Sequence, residues 1–161
     1  MAYTRKRTAK RTRPKDRTCY ETAVYLLQFR DQSEKDLTRK LKEREYTEKE
    51  IEEALERLRD YEYVNDEDLA DELFEAYRRR AQYGDAYIHQ KLKLKGLATE
   101  KHLRLEEEIE MAAALLQKKW GMSPKLRTDF KKSASFLLRR GFSHDAVMTV
   151  MHEMDLEEIE E

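Results

Sequence analysis

One short signature returns three times along the chain, and it constrains the fold more than any other feature. Leu41, Arg44, Glu45, Tyr46 and Thr47 align with Leu92, Lys95, Gly96, Leu97 and Ala98, and again with Leu137, Arg140, Gly141, Phe142 and Ser143. Each copy reads as an apolar residue, a base three positions later, a turn residue, an apolar anchor, and then a small or capping residue. The copies lie 51 and 45 residues apart, within the range of helical repeat proteins. Beyond the first anchor, Ile51, Ala54, Leu55 and Leu58 correspond to Val147, Val150, Met151 and Met154, while the middle copy offers His102, Leu105, Glu106 and Ile109. A helix that stops at a turn and restarts at a cap, at near-constant intervals, predicts tandem modules.

Composition supports this reading. Of the 161 residues 42% are charged and 39% hydrophobic, which favours a thin, extended core over one thick one. Four Gly and two Pro in a chain dominated by Glu, Lys, Arg, Leu and Ala predict an almost wholly α-helical protein. The expected architecture is all-α, an elongated, curved array of three tandem three-helix modules. Neighbouring modules should share apolar edges, because a three-helix unit of this size buries little alone. A long concave surface suits a large polymeric partner better than a small substrate.

The chain divides on this reading into a basic disordered arm over residues 1–17, modules over 18–64, 65–106 and 107–154, and an acidic tail over 155–161. In the first helix Tyr20, Ala23, Val24 and Leu27 share one face. Ser33 is an N-cap for a helix carrying Leu37 and Leu41, and Thr47 with Glu50 reads as a capping box before Ile51. Asn65 and Asp66 start a helix with Leu69, Ala70, Leu73, Phe74 and Tyr77. Gly84 and Asp85 open the next, with Ile88 and Leu92, and Gly96 is its C′ residue. A further helix can begin near Thr99, with a bend near residues 104 to 108. Then Ile109, Ala112, Ala113, Leu116 and Trp120 form a stripe, followed by helices with Phe130, Ala134, Leu137 and Leu138, and with Val147, Val150, Met151 and Met154.

The net charge of −1 hides strong segregation. Residues 1 to 18 hold eight bases against Asp16, residues 43 to 75 hold fifteen acids against four bases, and Lys118 to Arg140 hold eight bases against Asp129. Such blocks govern partner choice more than the total does. The single cysteine, Cys19, cannot form an internal disulfide and reads as a small packing residue. No apolar run approaches the ~20 residues of a membrane span, and the N-terminus lacks a secretory core. A cytoplasmic protein is expected.

Catalysis has little support, and no cofactor is expected. No Gly-rich phosphate loop is present, and His89, His102, His144 and His152 lack the close helical pairing of a metal site. The acidic run Asp66, Glu67, Asp68, Asp71, Glu72 and Glu75 reads as a solvated helix face. Bases are more informative. Arg78, Arg79 and Arg80 end a helix, where the dipole also favours them. Lys91, Lys93 and Lys95 alternate around a helix and cannot all meet one ligand. Lys125, Arg127, Lys131, Lys132, Arg139 and Arg140 lie in a basic module beside Phe136 and Phe142, where phosphate contact is credible. The contact candidates are therefore Arg78, Arg79, Arg80, Lys91, Lys95, Lys125, Arg127, Lys131, Lys132, Arg139 and Arg140. Tyr83 and Tyr87 could stack on bases, although packing at a module junction carries more weight.

These motifs resemble the RecX family. The stretch from Ala23 to Leu97 is similar to its body, with a Ser-started helix ending in a Lys/Arg-rich turn, then Tyr46-Thr47-Glu48, Ile51, Ala54 and Leu58. The link Tyr63-Val64-Asn65-Asp66 is similar to its connection between modules, and Leu137-Leu138-Arg139-Arg140-Gly141-Phe142-Ser143-His144-Asp145 resembles its third-module turn. Glu45 departs by standing where the family often has Gly. The resemblance covers roughly residues 20 to 154. A monomer is expected from the helical patterning, and the resemblance implies a non-enzymatic regulator in the control of DNA repair and recombination. Such a protein binds the RecA recombinase filament on single-stranded DNA and inhibits or limits its ATPase and strand exchange. The alternatives are a general nucleic-acid binder using the basic arm and third module, and a helical-repeat adaptor.

Overall fold

Each repeat of the signature is a helix ending in the same backbone device. In the computed structural model, which describes residues 16–160, the amide of Tyr46 reaches the carbonyl of Leu41, and the amide of Glu45 reaches that of Lys42. Leu97 with Leu92 and Phe142 with Leu137 repeat the long bond, while Gly96 with Lys93 and Gly141 with Leu138 repeat the short one. This is the Schellman pattern, which needs a left-handed residue at C′. Glu45, Gly96 and Gly141 have φ of 68°, 72° and 83°. The anchors Tyr46, Leu97 and Phe142 are buried, as are the apolar residues Leu41, Leu92 and Leu137 that open the signature, and in the first and third copies each pair shares one core.

Among the described residues every regular element is a helix, and no strand is present. Helices α1 (Cys19–Leu27), α2 (Glu34–Glu43) and α3 (Glu48–Asp60) come first. Helices α4 (Asp66–Arg80) and α5 (Asp85–Leu94) follow. Last come α6 (Leu105–Met122), a short 3-10 turn (Pro124–Leu126), α7 (Phe130–Arg139) and α8 (His144–Glu160). The chain forms two compact units that divide between Leu69 and Ala70. Of the arm expected over residues 1–17, all but Asp16 and Arg17 lie outside the described residues. Helix α8 continues through the acidic segment to Glu160.

In the first unit Leu37, Leu41, Ile51, Ala54, Leu55, Leu58 and Val64 bury together with Cys19, Ala23 and Leu26. The buried face of α1 is Cys19, Thr22, Ala23 and Leu26. Tyr20, Val24 and Leu27 pack against it only partly buried, so the expected stripe of Tyr20, Ala23, Val24 and Leu27 is rotated. The cause is Thr22, a polar residue that burial tolerates because its hydroxyl bonds the Tyr46 hydroxyl at 2.7 Å, which in turn donates to the Arg17 carbonyl. Thr18, Ser33 and Thr47 each accept the amide three residues on, at Glu21, Asp36 and Glu50.

In the second unit, Ala112, Leu116, Trp120, Leu137, Phe142, Val147, Val150, Met151 and Met154 form one core. Ala70, Phe74, Ile88 and Leu92 are buried along α4 and α5. The helix expected near Thr99 does not form. Residues 97–104 are irregular, and α6 begins at Leu105 and runs without a break past residues 104 to 108. Side chains from neighbouring helices satisfy this segment's backbone instead. Asp85 accepts the Leu103 amide at 2.7 Å, Arg78 donates to the His102 carbonyl at 3.0 Å, and His89 Nε2 lies 3.0 Å from the Lys101 carbonyl.

Candidate nucleic-acid interface

The second unit gathers rings and cations along one strip. Gly84 makes this possible, since its amide bonds the Arg140 carbonyl at 2.8 Å and a Cβ there would lie 2.2 Å from the Gly141 oxygen. That approach seats the start of α5 against the turn between α7 and α8. Glu108 of α6, only 4% exposed, completes the junction. Its Oε1 accepts the Asp85 amide at 2.9 Å, and its Oε2 accepts the Ser143 amide and hydroxyl at 3.2 and 2.6 Å. One carboxylate therefore caps the starts of two helices, where backbone donors and dipoles favour an anion.

On this scaffold Tyr83 and Tyr87 stack at 3.9 Å with planes 7° apart, and Tyr77 meets both edge-on. Cations lie over the rings: Arg140 5.4 Å from Tyr83 and 5.0 Å from Phe136, Lys91 5.2 Å from Tyr87, Arg80 5.7 Å from Tyr77, and Lys119 5.5 Å from Phe136. All are within cation–π range. The two tyrosines are stacked on one another, and each has a cation within cation–π range. A row of ring-supported cations can meet phosphates with little loss of side-chain entropy. Base stacking would require displacing a partner already present.

The sequence-derived candidates separate in this geometry. Arg80, Lys91 and Arg140 come together on the strip, and the exposed Arg79 adjoins it in sequence. Arg140 also donates to the Gln82 carbonyl at 3.3 Å, so it has a structural bond as well. Arg78 is engaged internally, with Glu75 at 2.8 Å, Glu107 at 3.5 Å and the His102 carbonyl. Lys95 is the half-buried C-cap of α5. Lys125 and Arg127 are exposed around the 3-10 turn, with Arg127 5.9 Å from the Trp120 ring. Lys131, Lys132 and Arg139 are exposed on α7. Lys132 pairs with Asp129 at 3.3 Å, and Arg139 donates to the Ser135 carbonyl at 3.2 Å. Lys132 and Arg139, seven residues apart, share a helix face. Lys119, Tyr77 and Phe136 belong to the strip and were not among the candidates; only the non-local approach of Gly84 to Gly141 exposes their connection.

The acidic run divides, with Glu67, Asp68 and Glu72 exposed as a solvated face and Asp66, Asp71 and Glu75 in structural bonds. Asp66 accepts the Glu34 amide at 3.0 Å, and burial pushes its carboxyl above the ordinary aspartate value. Asp71 accepts the Thr99 hydroxyl. Glu75 takes the Lys101 ammonium at 2.9 Å, and that hydrogen bond, before all else, holds its carboxyl below the usual glutamate value. The histidines also regroup, with Asp85, His89 and His102 placing one donor atom each within 4.8 Å of the others. The i,i+4 spacing of Asp85 and His89 is the only sequence trace of that cluster.

The fold and this strip define a class, the helical repeat protein with a cationic, aromatic-backed surface. Among the described residues no helix is long and apolar enough to cross a membrane. Residues 19–58 match the first three-helix domain of RecX, and residues 106–151 match the third. The chain is 34% identical over 140 residues to the regulatory protein RecX of Actinobacillus pleuropneumoniae serotype 5b (strain L20), across 80% of this chain and 87% of that protein. With the regulatory protein RecX of Haemophilus ducreyi (strain 35000HP / ATCC 700724) identity is 31% over 150 residues, across 88% and 94%. A crystal structure of RecX from Lactobacillus salivarius superimposes with a TM-score of 0.74 at 25% identity, covering 86% of this chain and 95% of that one. The chain belongs to the RecX family, a family of regulatory proteins.

Proposed function

We propose that this protein regulates the RecA recombinase by binding its filament on single-stranded DNA and limiting ATP hydrolysis and strand exchange. It acts as a cytoplasmic monomer without catalytic activity of its own. Family membership carries the reading, since RecA control is what resemblance to RecX implies. The cationic strip supports it, because ring-backed Arg80, Lys91 and Arg140 suit a polyanion held by a protein filament. Arg79, Lys125, Arg127, Lys131, Lys132 and Arg139 are the further phosphate or filament contacts in this proposal.

The test is the DNA-dependent ATPase rate of RecA with substoichiometric and then saturating amounts of this protein. Inhibition is expected well below one copy per protomer, or at saturation if the protein coats the filament. An unchanged rate at saturation would refute the proposal. An ATPase activity that copurifies with the protein through several steps would refute its non-enzymatic part.

A further inference from the structure

The irregular segment after α5 carries two imidazoles and a carboxylate to one point. Asp85 opens α5, His89 stands one turn later on the same face, and His102 arrives from the segment. Asp85 Oδ2 lies 2.8 Å from His102 Nδ1 and 3.5 Å from His89 Nε2, and the rings stack at 4.6 Å. From this geometry we infer that Asp85, His89 and His102 form a binding site for a divalent transition-metal ion of the zinc, cobalt or nickel kind.

The donor set is the first argument. Two neutral imidazoles and one carboxylate suit these ions and suit magnesium or calcium poorly. Spacing is the second. Bonds of ~2.0–2.2 Å in tetrahedral array put donor atoms about 3.3 Å apart. The Asp85–His89 separation is already 3.5 Å. His102, whose side chain is 65% exposed, stands on irregular backbone and can swing the remaining distance. The support around the donors is the third. Asp85 is fixed at both ends, its amide by Glu108 and its Oδ1 by the Leu103 amide, which leaves Oδ2 as the donor. His89 Nε2 donates to the Lys101 carbonyl at 3.0 Å. Binding requires its proton on Nδ1 instead, and requires on Nε2 the proton that His102 Nδ1 directs at Asp85; both are tautomer changes that need no ionisation. The neighbouring cations Arg78 and Lys101 are paired with Glu75, so no unpaired one of these opposes the ion.

Three protein donors leave positions for water, so the site is open. An ion held there would fasten segment 97–104 onto α5, whose start Glu108 ties to that of α8.

The test uses the untagged full-length protein, stripped with chelator and titrated with Zn²⁺ and Co²⁺ by calorimetry and visible absorption. One ion per chain is expected, with Co²⁺ bands of low coordination number and perturbed His89 and His102 imidazole resonances. His102→Ala should weaken binding by about tenfold or more, as losing a ligand must exceed the loss of an outer contact. His144→Ala should leave affinity unchanged. Circular dichroism of His102→Ala should match the parent, because His102 is exposed and outside a helix. Absence of saturable binding at millimolar metal would overturn the inference. So would equal affinity in His102→Ala, or imidazole shifts confined to His144 and His152; the latter two need no folded variant at His89.

Discussion

Glu108 and Ser143 are joined twice, with the carboxylate of one accepting both the amide and the hydroxyl of the other, 35 residues along the chain. The same carboxylate serves Asp85 through its second oxygen. Glu108→Ala strands three donors at a buried junction and should cost on the order of 2–4 kcal/mol. Glu108→Gln keeps one acceptor and should cost less. Trp120, the single tryptophan, is buried in the core of this unit, so denaturant unfolding followed by its fluorescence measures both. Parent-like stability of Glu108→Ala would mean the junction is held by apolar packing alone.

Two glycines should respond in opposite directions to the same change. Gly84→Ala drives a methyl to 2.2 Å from the Gly141 carbonyl oxygen, a backbone atom that cannot rotate away. A loss of about 1–3 kcal/mol or more is expected. Gly121 lies in the last turn of α6 with nothing within 4 Å of its would-be Cβ. Gly121→Ala should raise stability by roughly 0.5–1 kcal/mol, since alanine loses less entropy in a helix. Thermal melts of the pair provide the check.

Charge reversal separates filament binding from plain DNA binding, provided Arg140 is left alone. Arg140 bonds Gln82 and lies over Tyr83 and Phe136, so altering it would disturb the junction. Lys125→Glu, Lys131→Glu and Arg139→Glu together change exposed positions only. Free single-stranded DNA binding should fall, and its salt dependence should flatten in proportion to the phosphates that these cations no longer neutralise. On the proposed RecA-regulating function, inhibition of RecA should persist at higher protein concentration, because protein contacts to the filament would remain. Equal loss of both activities would favour competition for DNA.

Glu75 and Asp66 should titrate away from their ordinary values in opposite directions. Glu75, bonded by Lys101, is held low; its contribution to stability is present above the unfolded value and disappears as pH falls through the folded one. Asp66, desolvated, is held high; the folded state loses stability as pH rises from its unfolded value through the folded one. Carboxyl chemical shifts against pH should show the split, and Lys101→Ala should return Glu75 towards its ordinary value while leaving Asp66 unmoved.

Much of the helical plan was legible in the sequence because local rules decide it. Ser33, Thr47, Asn65 and Gly96 each act in the helix-boundary role that their residue types predict. The register of α1 was not legible, since burial of Thr22 depends on the Tyr46 hydroxyl 24 residues away. Nor was the unwinding of residues 99–104, whose Glu-rich sequel looked helical throughout. Asp85, His89 and Arg78 hold that backbone from outside, and no local window contains them. The division of the basic candidates into strip, junction and surface depends on the close approach of Gly84 and Gly141, which no local window contains.

The left-handed residues at the helix ends have a bearing on how such a chain can change over time. Glu45, Gly96 and Gly141 share one main-chain state despite different side chains, and Glu62 and Ala81, with φ of 57° and 52°, end α3 and α4 in the same state. What is inherited from joint to joint is a dihedral angle. A lineage can therefore exchange the residue at each joint, at a cost of about 1–2 kcal/mol when glycine is given up, and keep the articulation after the lettering that once marked it has worn away.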